Sequence, residues 1–221
     1  MKTIVSWSSG KDSCFTLHVL REMDVEVVGL LTTVKTGYRR VSMHGVREEL
    51  VDLQALHLGL PLFKAFIPPN CRNEVYESIM RDTCLKLKEL GVDAIAFGDI
   101  FLEDVRKYRE KNLNAVGLKP LFPIWGRSTA ELAETFLSLG YRAKVAVVDL
   151  EKLPKSFAGR EFDRNFLKEL PAEVDPCGEN GEFHTFVYAG PLFSVPIKVE
   201  VGETVVRDNR FFYADLLPAT A

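Results

Sequence analysis

The chain has 221 residues, of which 47% are hydrophobic and 27% charged, and its mean hydropathy is close to zero. This composition indicates a globular protein with a packed core. A net charge of −3 and a pI near 5.9 exclude a protein that holds nucleic acid mainly through a basic surface. Nucleic acid is therefore not an expected partner.

The N-terminal residues and the cysteines indicate the compartment. The chain enters a strand-like run at once, without the apolar region and cleavage site of a signal peptide. No apolar stretch approaches the roughly 18 residues of a membrane span. The four cysteines, at positions 14, 71, 84 and 177, form no C-x-x-C pair, which fits a reducing compartment and disfavours a structural zinc site. We expect a cytoplasmic protein that does not enter a membrane.

Residues 1–150 alternate short β-rich runs with longer helical runs, a pattern typical of an α/β protein whose parallel sheet is covered by helices on both faces. A sheet of five or six strands is expected. Glycines at 59, 91, 117 and 140 each follow a helical run, where C-caps are common. The predicted strands are 3–7, 25–34, 61–66, 93–98, 119–123 and 143–150, and the predicted helices are 11–23, 44–58, 70–90, 102–112 and 128–139.

The pattern changes after residue 150. One short helical run at about 162–170 precedes β-rich runs at 184–188, 194–201 and 205–216. We therefore divide the chain into a nucleotide-binding domain at 1–150 and a small C-terminal α+β elaboration at 151–221, which carries a second motif and is expected to bind the substrate.

Residues 8–13, SSGKDS, follow the first predicted strand and begin the first helix, where α/β proteins place phosphate loops. A Walker loop is excluded, because it needs glycine where Val5 stands and Ser or Thr where Asp12 stands. Gly10 still lets the backbone approach an anion, and Asp12 could take a metal ion that accompanies phosphates. The other polar side chains add hydroxyl donors and a positive charge: Ser8, Ser9, Ser13 and Lys11. The alternative is a solvated loop in which Ser9 or Asp12 caps the helix.

The segment SWSSGKDS resembles the Ser-Gly-Gly-Lys-Asp-Ser signature of the PP-loop ATP pyrophosphatases, a superfamily that includes GMP synthetase, NAD synthetase, asparagine synthetase and tRNA thiolation and lysidine enzymes. Ser9 stands where the first glycine usually stands, and serine narrows the allowed backbone angles there. The resemblance implies a Rossmann-like (HUP-type) fold whose loop holds the pyrophosphate end of ATP. It also implies that a substrate oxygen attacks the α-phosphate, so that an adenylated intermediate forms and pyrophosphate leaves.

A second motif, DPCGENGEFHTFV, occupies residues 175–187. It places Glu179, Glu182, His184 and Thr185 within seven positions, just before an alternating strand that could hold them at a cleft. Two carboxylates beside a histidine can hold a metal, orient an amine or move a proton. The alternative is a solvated acidic turn made by the two glycines.

This second motif resembles the Gly-Glu-x-Gly-Glu-Phe-[HE]-Thr segment of the diphthine-ammonia ligase family, within the PP-loop superfamily. Further segments resemble the same family in the same order, at 52–62, 96–100, 117–127 and 191–193. The chain is therefore identified as a member of this family. Membership implies an AMP-forming amide ligase that uses ATP and Mg²⁺, adenylates a substrate carboxylate and transfers ammonia, with diphthine on elongation factor 2 as the acceptor. Two alternatives stay open: the same chemistry on a small metabolite or tRNA base, and an ATP- or AMP-binding sensor without turnover.

The resemblance assigns roles to residues at matching positions. The loop residues Ser8, Ser9, Gly10, Lys11, Asp12 and Ser13 would bind ATP phosphates, with Asp12 as the metal ligand. Thr32 and Thr33 would lie along adenosine, while Gly98 and Asp99 would end a strand at the same face of the sheet. Glu179, Glu182, His184 and Thr185 would form the acceptor pocket. The expected catalytic residues are Lys11, Asp12, Asp99, Glu182 and His184.

Four further residues are weighed individually. His44 begins a predicted helix after a loop and is a candidate substrate ligand, although a polar N-terminal cap is the plainer explanation. Arg106 and Arg109 lie three apart on one helix, and one of them could reach the pyrophosphate, although exposed helical arginines are usually solvated or paired. Cys177 has no partner cysteine nearby in sequence, so a role as nucleophile is not favoured. The sequence leaves a homo-oligomer open.

Overall fold

The computed structural model describes residues 1–219, and its first sheet is the predicted parallel one. Five strands run parallel in the order β4, β2, β1, β5, β6, and the short β3 pairs antiparallel with the end of β2. The predicted α/β fold is therefore confirmed. The strands are β1 Thr3–Ser6, β2 Val27–Lys35, β3 Arg40–Val41, β4 Leu62–Ile67, β5 Ala94–Ala96 and β6 Lys119–Leu121.

Six helices cover the sheets, and their ends follow local sequence signals. Gly59 and Gly117 end two of them in the left-handed conformation, with φ of 66° and 70°, which glycine adopts at little cost. The helix predicted at 44–58 begins only at Glu48, because Gly45 is also left-handed and Arg47 is extended. No helix within residues 1–219 is long and apolar enough to cross a membrane. The helices are α1 Lys11–Glu22, α2 Glu48–Leu58, α3 Asn73–Glu89, α4 Glu103–Val116, α5 Thr129–Ser138 and α6 Arg164–Glu169.

A second, antiparallel sheet of four strands corrects part of the prediction. Its order is β8, β7, β10, β9, with β7 at Arg142–Asp149, β8 at Phe183–Ala189, β9 at Val199–Arg207 and β10 at Phe211–Pro218. The run 143–150, predicted as a parallel strand of the first sheet, is β7. It resembles a parallel strand because both of its faces are covered, which gives a continuous apolar run.

The C-terminal β-rich runs also divide differently from the prediction. The run 205–216 contains a hairpin turn, in which Asp208 and Asn209 both have φ of 52°, as tight hairpins require. The functional division of the chain at residue 150 stays a prediction, while the two sheets divide between β6 and β7.

The two sheets share one hydrophobic core, which brings α1 against the second sheet. Trp7, which directly follows β1, Leu17 of α1 and Phe186 of β8 belong to the same buried cluster. A smaller cluster on the opposite face of the first sheet lies beneath α3 and α4 and includes Ile95 and Leu113. Because α1 belongs to the shared core, its N-terminus and residues 8–13 lie between the two sheets.

Candidate active site

A cleft of about 1030 Å³ opens at the carboxyl ends of the parallel strands, where open α/β sheets bind ligands. It combines residues of the first sheet with residues of the second motif. Twelve of the residues predicted from sequence line it: Ser8, Lys11, Asp12, Ser13, Thr33, His44, Gly98, Asp99, Arg109, Glu179, His184 and Thr185.

Backbone shape defines the loop at residues 8–13. Ser9 is fully buried and has φ of 75°, in the region that L-residues occupy at a cost. This conformation explains why the superfamily signature has glycine at that place.

Gly10 and Gly98 are needed for space. A Cβ on Gly10 would lie 2.9 Å from Cε1 of His44 and 3.0 Å from the carbonyl oxygen of Thr185. A Cβ on Gly98 would lie 2.9 Å from the carbonyl carbon of Asp12. Gly98 therefore lets the end of β5 approach the first turn of α1, and any larger side chain would displace that turn.

Lys11 and Asp12 form an ion pair at the base of the cleft. Nζ of Lys11 donates to both carboxylate oxygens of Asp12, at 2.8 and 2.9 Å, and to the carbonyl oxygen of Cys177. The Lys11 side chain is only 4% exposed, whereas that of Asp12 is 32% exposed. Burial lowers the pKa of Lys11, but the charge and hydrogen bond of Asp12, with the charges of Cys177 and Glu179, together outweigh it and the net pKa is raised. Lys11 therefore stays charged.

Side chains of the second sheet and of α2 fasten the phosphate loop. The backbone amide of Lys11 donates to Oγ1 of Thr185 at 3.0 Å. Gln54 of α2 is fully buried, and its amide donates to the carbonyl oxygens of Ser9 at 3.0 Å and Val187 at 2.6 Å. Its Oε1 accepts from the indole of Trp7 at 2.8 Å. Sequence reasoning did not single out Gln54, although the residue lies in segment 52–62, which carried the family resemblance.

Two histidines lie in contact beside the loop, with their rings tilted by 33°. The rings of His44 and His184 have centroids 4.4 Å apart, and Nδ1 of His44 lies 3.3 Å from the carbonyl oxygen of Thr185. Burial, with a smaller effect of the Lys11 charge, lowers the pKa of His184 to about 4. Burial and the neighbouring His184 also lower the pKa of His44. Both rings are therefore neutral near pH 7.

Carboxylates shape the loop at 175–182 by binding backbone amides. Asp175 Oδ2 accepts from the amides of Cys177 and Glu179, both at 3.0 Å. Glu179 Oε1 accepts from the amide of Ile100 at 2.7 Å. Burial raises the pKa of Glu179 to about 7, so that this acid titrates near neutral pH. Asp175 was missed by sequence reasoning, because a residue that caps a loop has no periodic pattern.

Glu182 lies differently from the expectation. It is 2% exposed and is absent from the cleft lining. Its Oε1 accepts from the amide of Asp175 at 3.2 Å and from Asn180 Nδ2 at 3.0 Å. These contacts indicate that Glu182 holds the loop together and does not line the cleft.

Asp99 and Arg109 lie at the cleft as a pair, with Nε of Arg109 2.5 Å from Asp99 Oδ2. Arg106 does not reach the cleft: its guanidinium lies 4.8 Å from the ring centroid of Phe122, and its Nε donates to Glu110. Only Arg109 of the two predicted arginines can therefore contact a bound phosphate.

Thr32 is also outside the cleft, with 1% exposure, whereas Thr33 lines it. Successive strand residues point to opposite faces, so that only one of the two threonines can lie along a nucleoside. Cys177 is buried, and burial raises the pKa of its thiol to about 12. A thiol with this pKa is a poor nucleophile.

The donors at one end of the cleft fit phosphate groups, such as those of a nucleoside triphosphate. Hydroxyls of Ser8 and Ser13, the ammonium of Lys11 and the N-terminus of α1 surround one end, a combination that binds phosphates. The cleft volume is at the upper end of the range for small-molecule sites. Within residues 1–219, no group of three or more His, Cys, Asp or Glu side chains could hold a metal by itself.

Known proteins resemble this chain along nearly its whole length. The family model described as the diphthamide synthase N-terminal domain matches residues 1–120, and the one described as its C-terminal domain matches residues 128–214. A solved structure described as a predicted subunit of tRNA methyltransferase from Methanocaldococcus jannaschii has a TM-score of 0.43 and 14% identity, and the match covers 66% of this chain and 80% of that one.

Two curated relatives named diphthine–ammonia ligase show the family. The protein from Danio rerio is 31% identical over an alignment of 244 positions, gaps included, which covers 96% of this chain and 91% of that protein. The protein from Homo sapiens is 27% identical over 238 residues, which cover 96% and 88%. Both domains of the family are present in order, and the loop and second motif meet at one cleft. The chain therefore belongs to the diphthine–ammonia ligase family.

Proposed function

We propose that this protein is an ATP-dependent amide ligase that joins ammonia to the carboxylate of diphthine, with AMP and pyrophosphate as the other products. The family identification supports this activity and the use of ATP and ammonia. The acceptor would then be a residue of elongation factor 2, so that a translation factor is a protein substrate and the cytoplasm the place of action.

One observation carries the proposal: the phosphate loop and the second motif are bound to each other at a single cleft. The Lys11 amide donates to Thr185, and the Lys11 ammonium donates to the carbonyl oxygen of Cys177. An ATP held by the loop would therefore have its α-phosphate beside the side chains of the second motif. A ligase needs this proximity, because the acceptor carboxylate must reach the α-phosphate.

We assign roles to the chain's own groups. Lys11 and the N-terminus of α1 bind the phosphates and stabilise the negative charge that develops as pyrophosphate leaves. An oxygen of the acceptor carboxylate bonds to the α-phosphorus, giving an acyl-adenylate. Ammonia then bonds to the acyl carbon, and AMP leaves with the electrons of the broken C–O bond. Glu179 accepts the proton that nitrogen gives up, because its pKa of about 7 suits a general base.

Asp12 is proposed to bind Mg²⁺. Protein sites for Mg²⁺ usually supply one or two carboxylates, and substrate phosphates and water complete the shell, so that a single partly exposed carboxylate beside the loop fits this ion. Bound Mg²⁺ would neutralise charge on the phosphates. Asp12 would have to share its carboxylate between this ion and Lys11.

The thiolation chemistry of some superfamily members is not supported as the second step. That chemistry uses reactive cysteines, and the buried Cys177 thiol has a pKa of about 12. Its Sγ also donates to the carbonyl oxygen of Thr129 at 3.2 Å. An oxygen acceptor followed by ammonia agrees better with this site.

The test is the release of AMP and pyrophosphate from ATP in four mixtures: enzyme alone, with ammonia, with diphthine-bearing elongation factor 2, and with both. The ligase predicts sustained release only in the complete mixture. A protein that binds ATP without turnover would release neither product in any mixture. A further outcome is sustained release with a small carboxylic acid or a tRNA but not with the elongation factor. That result would retain the ligase chemistry and reject elongation factor 2 as the acceptor.

A further inference from the structure

His44 reaches the cleft from a turn between β3 and α2. Residues 42–47 join β3 to α2, and Met43 at the tip is 65% exposed. Within the connection, the amide of Gly45 donates to the carbonyl oxygen of Val41 at 3.0 Å. The buried Val46 and the amide of Ser42, which donates to the carbonyl oxygen of Thr33 of β2 at 3.0 Å, hold the base of this turn, and further contacts come from β10.

Asp215 of β10 binds both ends of this connection. Its Oδ1 accepts from Nη1 of Arg40 at 2.7 Å and from Nε of Arg47 at 3.1 Å, and its Oδ2 accepts from Nη2 of Arg47 at 2.7 Å. Nη1 of Arg40 also donates to the carbonyl oxygen of Gly45 at 2.9 Å. One carboxylate thus joins the two arginines that flank His44 to the second sheet.

The environment of Asp215 favours a durable ion pair. Its side chain is 16% exposed, and burial opposes ionisation, but hydrogen bonds from Arg47 and Arg40 outweigh this effect and lower its pKa to about 2. The carboxylate therefore stays ionised at any pH at which the enzyme works. Bidentate arginine contacts of this kind also fix orientation.

The ring of Tyr213, two residues before Asp215, supports the same turn. A Cβ on Gly45 would lie 2.6 Å from Cδ1 and Cε1 of Tyr213, so that backbone and ring are in close contact. Gly45 also needs its φ of 65°. Two residues of β10, Tyr213 and Asp215, thus contact the turn that carries His44.

We propose that Asp215 is a positioning residue for the ligase reaction, which holds the 42–47 connection through Arg40 and Arg47 so that His44 stays against the phosphate loop and His184. This inference rests on the proposed function, because it places His44 among the groups that contact ATP or the acceptor. Asp215 itself does not line the cleft. Its effect on catalysis is therefore indirect and passes through His44.

The first test is structural and needs no turnover. Arg39, whose side chain is 80% exposed, lies just before the tethered segment, so that limited trypsin digestion reports how often this region opens. In Asp215→Asn we expect the initial cleavage after Arg39 or Arg40 to be about tenfold faster, because hydrogen bonds to charged groups are lost. A cleavage rate equal to that of the parent would overturn the proposal, whether or not the ligase assay succeeds.

The second test is a double-mutant cycle on AMP formation in the complete mixture. Asp215→Asn and His44→Ala should each lower kcat/KM by about tenfold, and the double variant should be no worse than His44→Ala alone. Losses that multiply would contradict a role through His44. If no mixture supports turnover by the parent protein, the proposed function fails, and the trypsin result still decides whether Asp215 holds the connection.

Glu161→Gln is the matched control. Glu161 is also a partly buried carboxylate at the second sheet, where it accepts from Lys144 Nζ at 2.8 Å and from the hydroxyl of Tyr188 at 2.9 Å. None of these three residues lines the cleft. The control variant should have a lower melting temperature than the parent. Its rate of trypsin cleavage after Arg39 or Arg40 and its kcat/KM should be unchanged. Equal kinetic losses in Glu161→Gln and Asp215→Asn would reduce Asp215 to a structural residue and reject the proposal.

Discussion

The two sides of the cleft are built in different ways. On one side, residues 8–13 take their shape from the backbone: Ser9 is left-handed and Gly10 leaves no room for a side chain. On the other side, the loop at 175–182 takes its shape from carboxylates that accept from amides, above all Asp175 and Glu182. In the proposed function, the first side donates to phosphates, and Glu179 of the second side accepts a proton from the amine.

This difference teaches which substitutions reveal function. Added volume is expected to harm residues 8–13, because the backbone there has no space for it. Loss of charge is expected to harm the loop at 175–182, because its carboxylates accept the hydrogen bonds that hold the loop and one of them, Glu179, is also proposed to act on the substrate. Lys11 joins the two sides and should be the most sensitive position.

The largest effect is expected for Lys11→Met, which keeps the length of the side chain and removes its charge. We expect pyrophosphate release to fall by about 100- to 1000-fold, since Lys11 is proposed to stabilise charge on the leaving group. Lys64→Met is the matched control, because Lys64 is also a partly buried, paired lysine, bound to Glu48 at 2.7 Å outside the cleft. Equal activity of Lys11→Met and the parent would remove the ammonium from the mechanism.

Glu179→Gln tests the acceptor side through pH. With a pKa raised to about 7, the parent should gain activity as pH rises through 7 at a constant concentration of free NH3, because only the ionised carboxylate accepts a proton. The variant should lose about 100-fold at pH 8 and show no rise near 7. Glu74→Gln, at another acid of the cleft, should retain the rise. A persistent rise in Glu179→Gln would assign the base elsewhere.

The same pKa predicts a change in stability. A carboxyl group whose pKa is raised on folding favours the folded state only while it is protonated, so that its contribution is lost as pH rises from the unfolded value of about 4.3 through 7. Thermal unfolding of Glu179→Gln should therefore show a higher melting temperature relative to the parent at pH 8 than at pH 5. The opposite order would show that the carboxylate is stabilised when charged.

The sequence predicted the parts of the molecule that depend on local pattern. The turn from β1 to α1 at residues 8–13, the parallel sheet and the glycine ends at Gly59 and Gly117 follow from neighbouring residues. The strand β7 was misplaced, because a strand covered on both faces has the same pattern in a parallel and an antiparallel sheet. Gln54 and Asp215 were missed for another reason: their partners are far away in the chain, and only the fold brings them together.

Gln54→Leu tests one of these long-range ties. It would remove a hydrogen bond from the carbonyls of Ser9 and Val187 and from the indole of Trp7, while the Ser9 carbonyl keeps the amide of Val187. The expected cost is about 2–4 kcal/mol in the free energy of unfolding. Urea denaturation should measure this loss, accompanied by weaker ATP binding. Thr32→Val is the matched control, because the buried Thr32 hydroxyl has no hydrogen-bond partner within residues 1–219, and its removal should cost little or nothing. A similar loss in the free energy of unfolding for both variants would contradict the role of Gln54 in holding residues 8–13.

The smallest effect concerns Ser9. Ser9→Gly should raise the free energy of unfolding by up to about 1 kcal/mol, because glycine relieves the left-handed strain. The greater conformational freedom of glycine in the unfolded chain offsets part of this gain. Ser9→Ala keeps the strain and removes only the buried, unpartnered hydroxyl, so that the pair separates the two contributions. Activity should be nearly unchanged in both. A Ser9→Gly variant less stable than Ser9→Ala would contradict strain at this position.

The central claim is that one cleft adenylates a carboxylate and then joins ammonia to it. The most direct measurement is mass spectrometry of diphthine-bearing elongation factor 2 after incubation with the protein, ATP and ¹⁵N-labelled ammonium. The account predicts one ¹⁵N atom in the modified residue, with AMP formed in equal amount. ATP consumption that yields AMP without ¹⁵N in the protein substrate would contradict it.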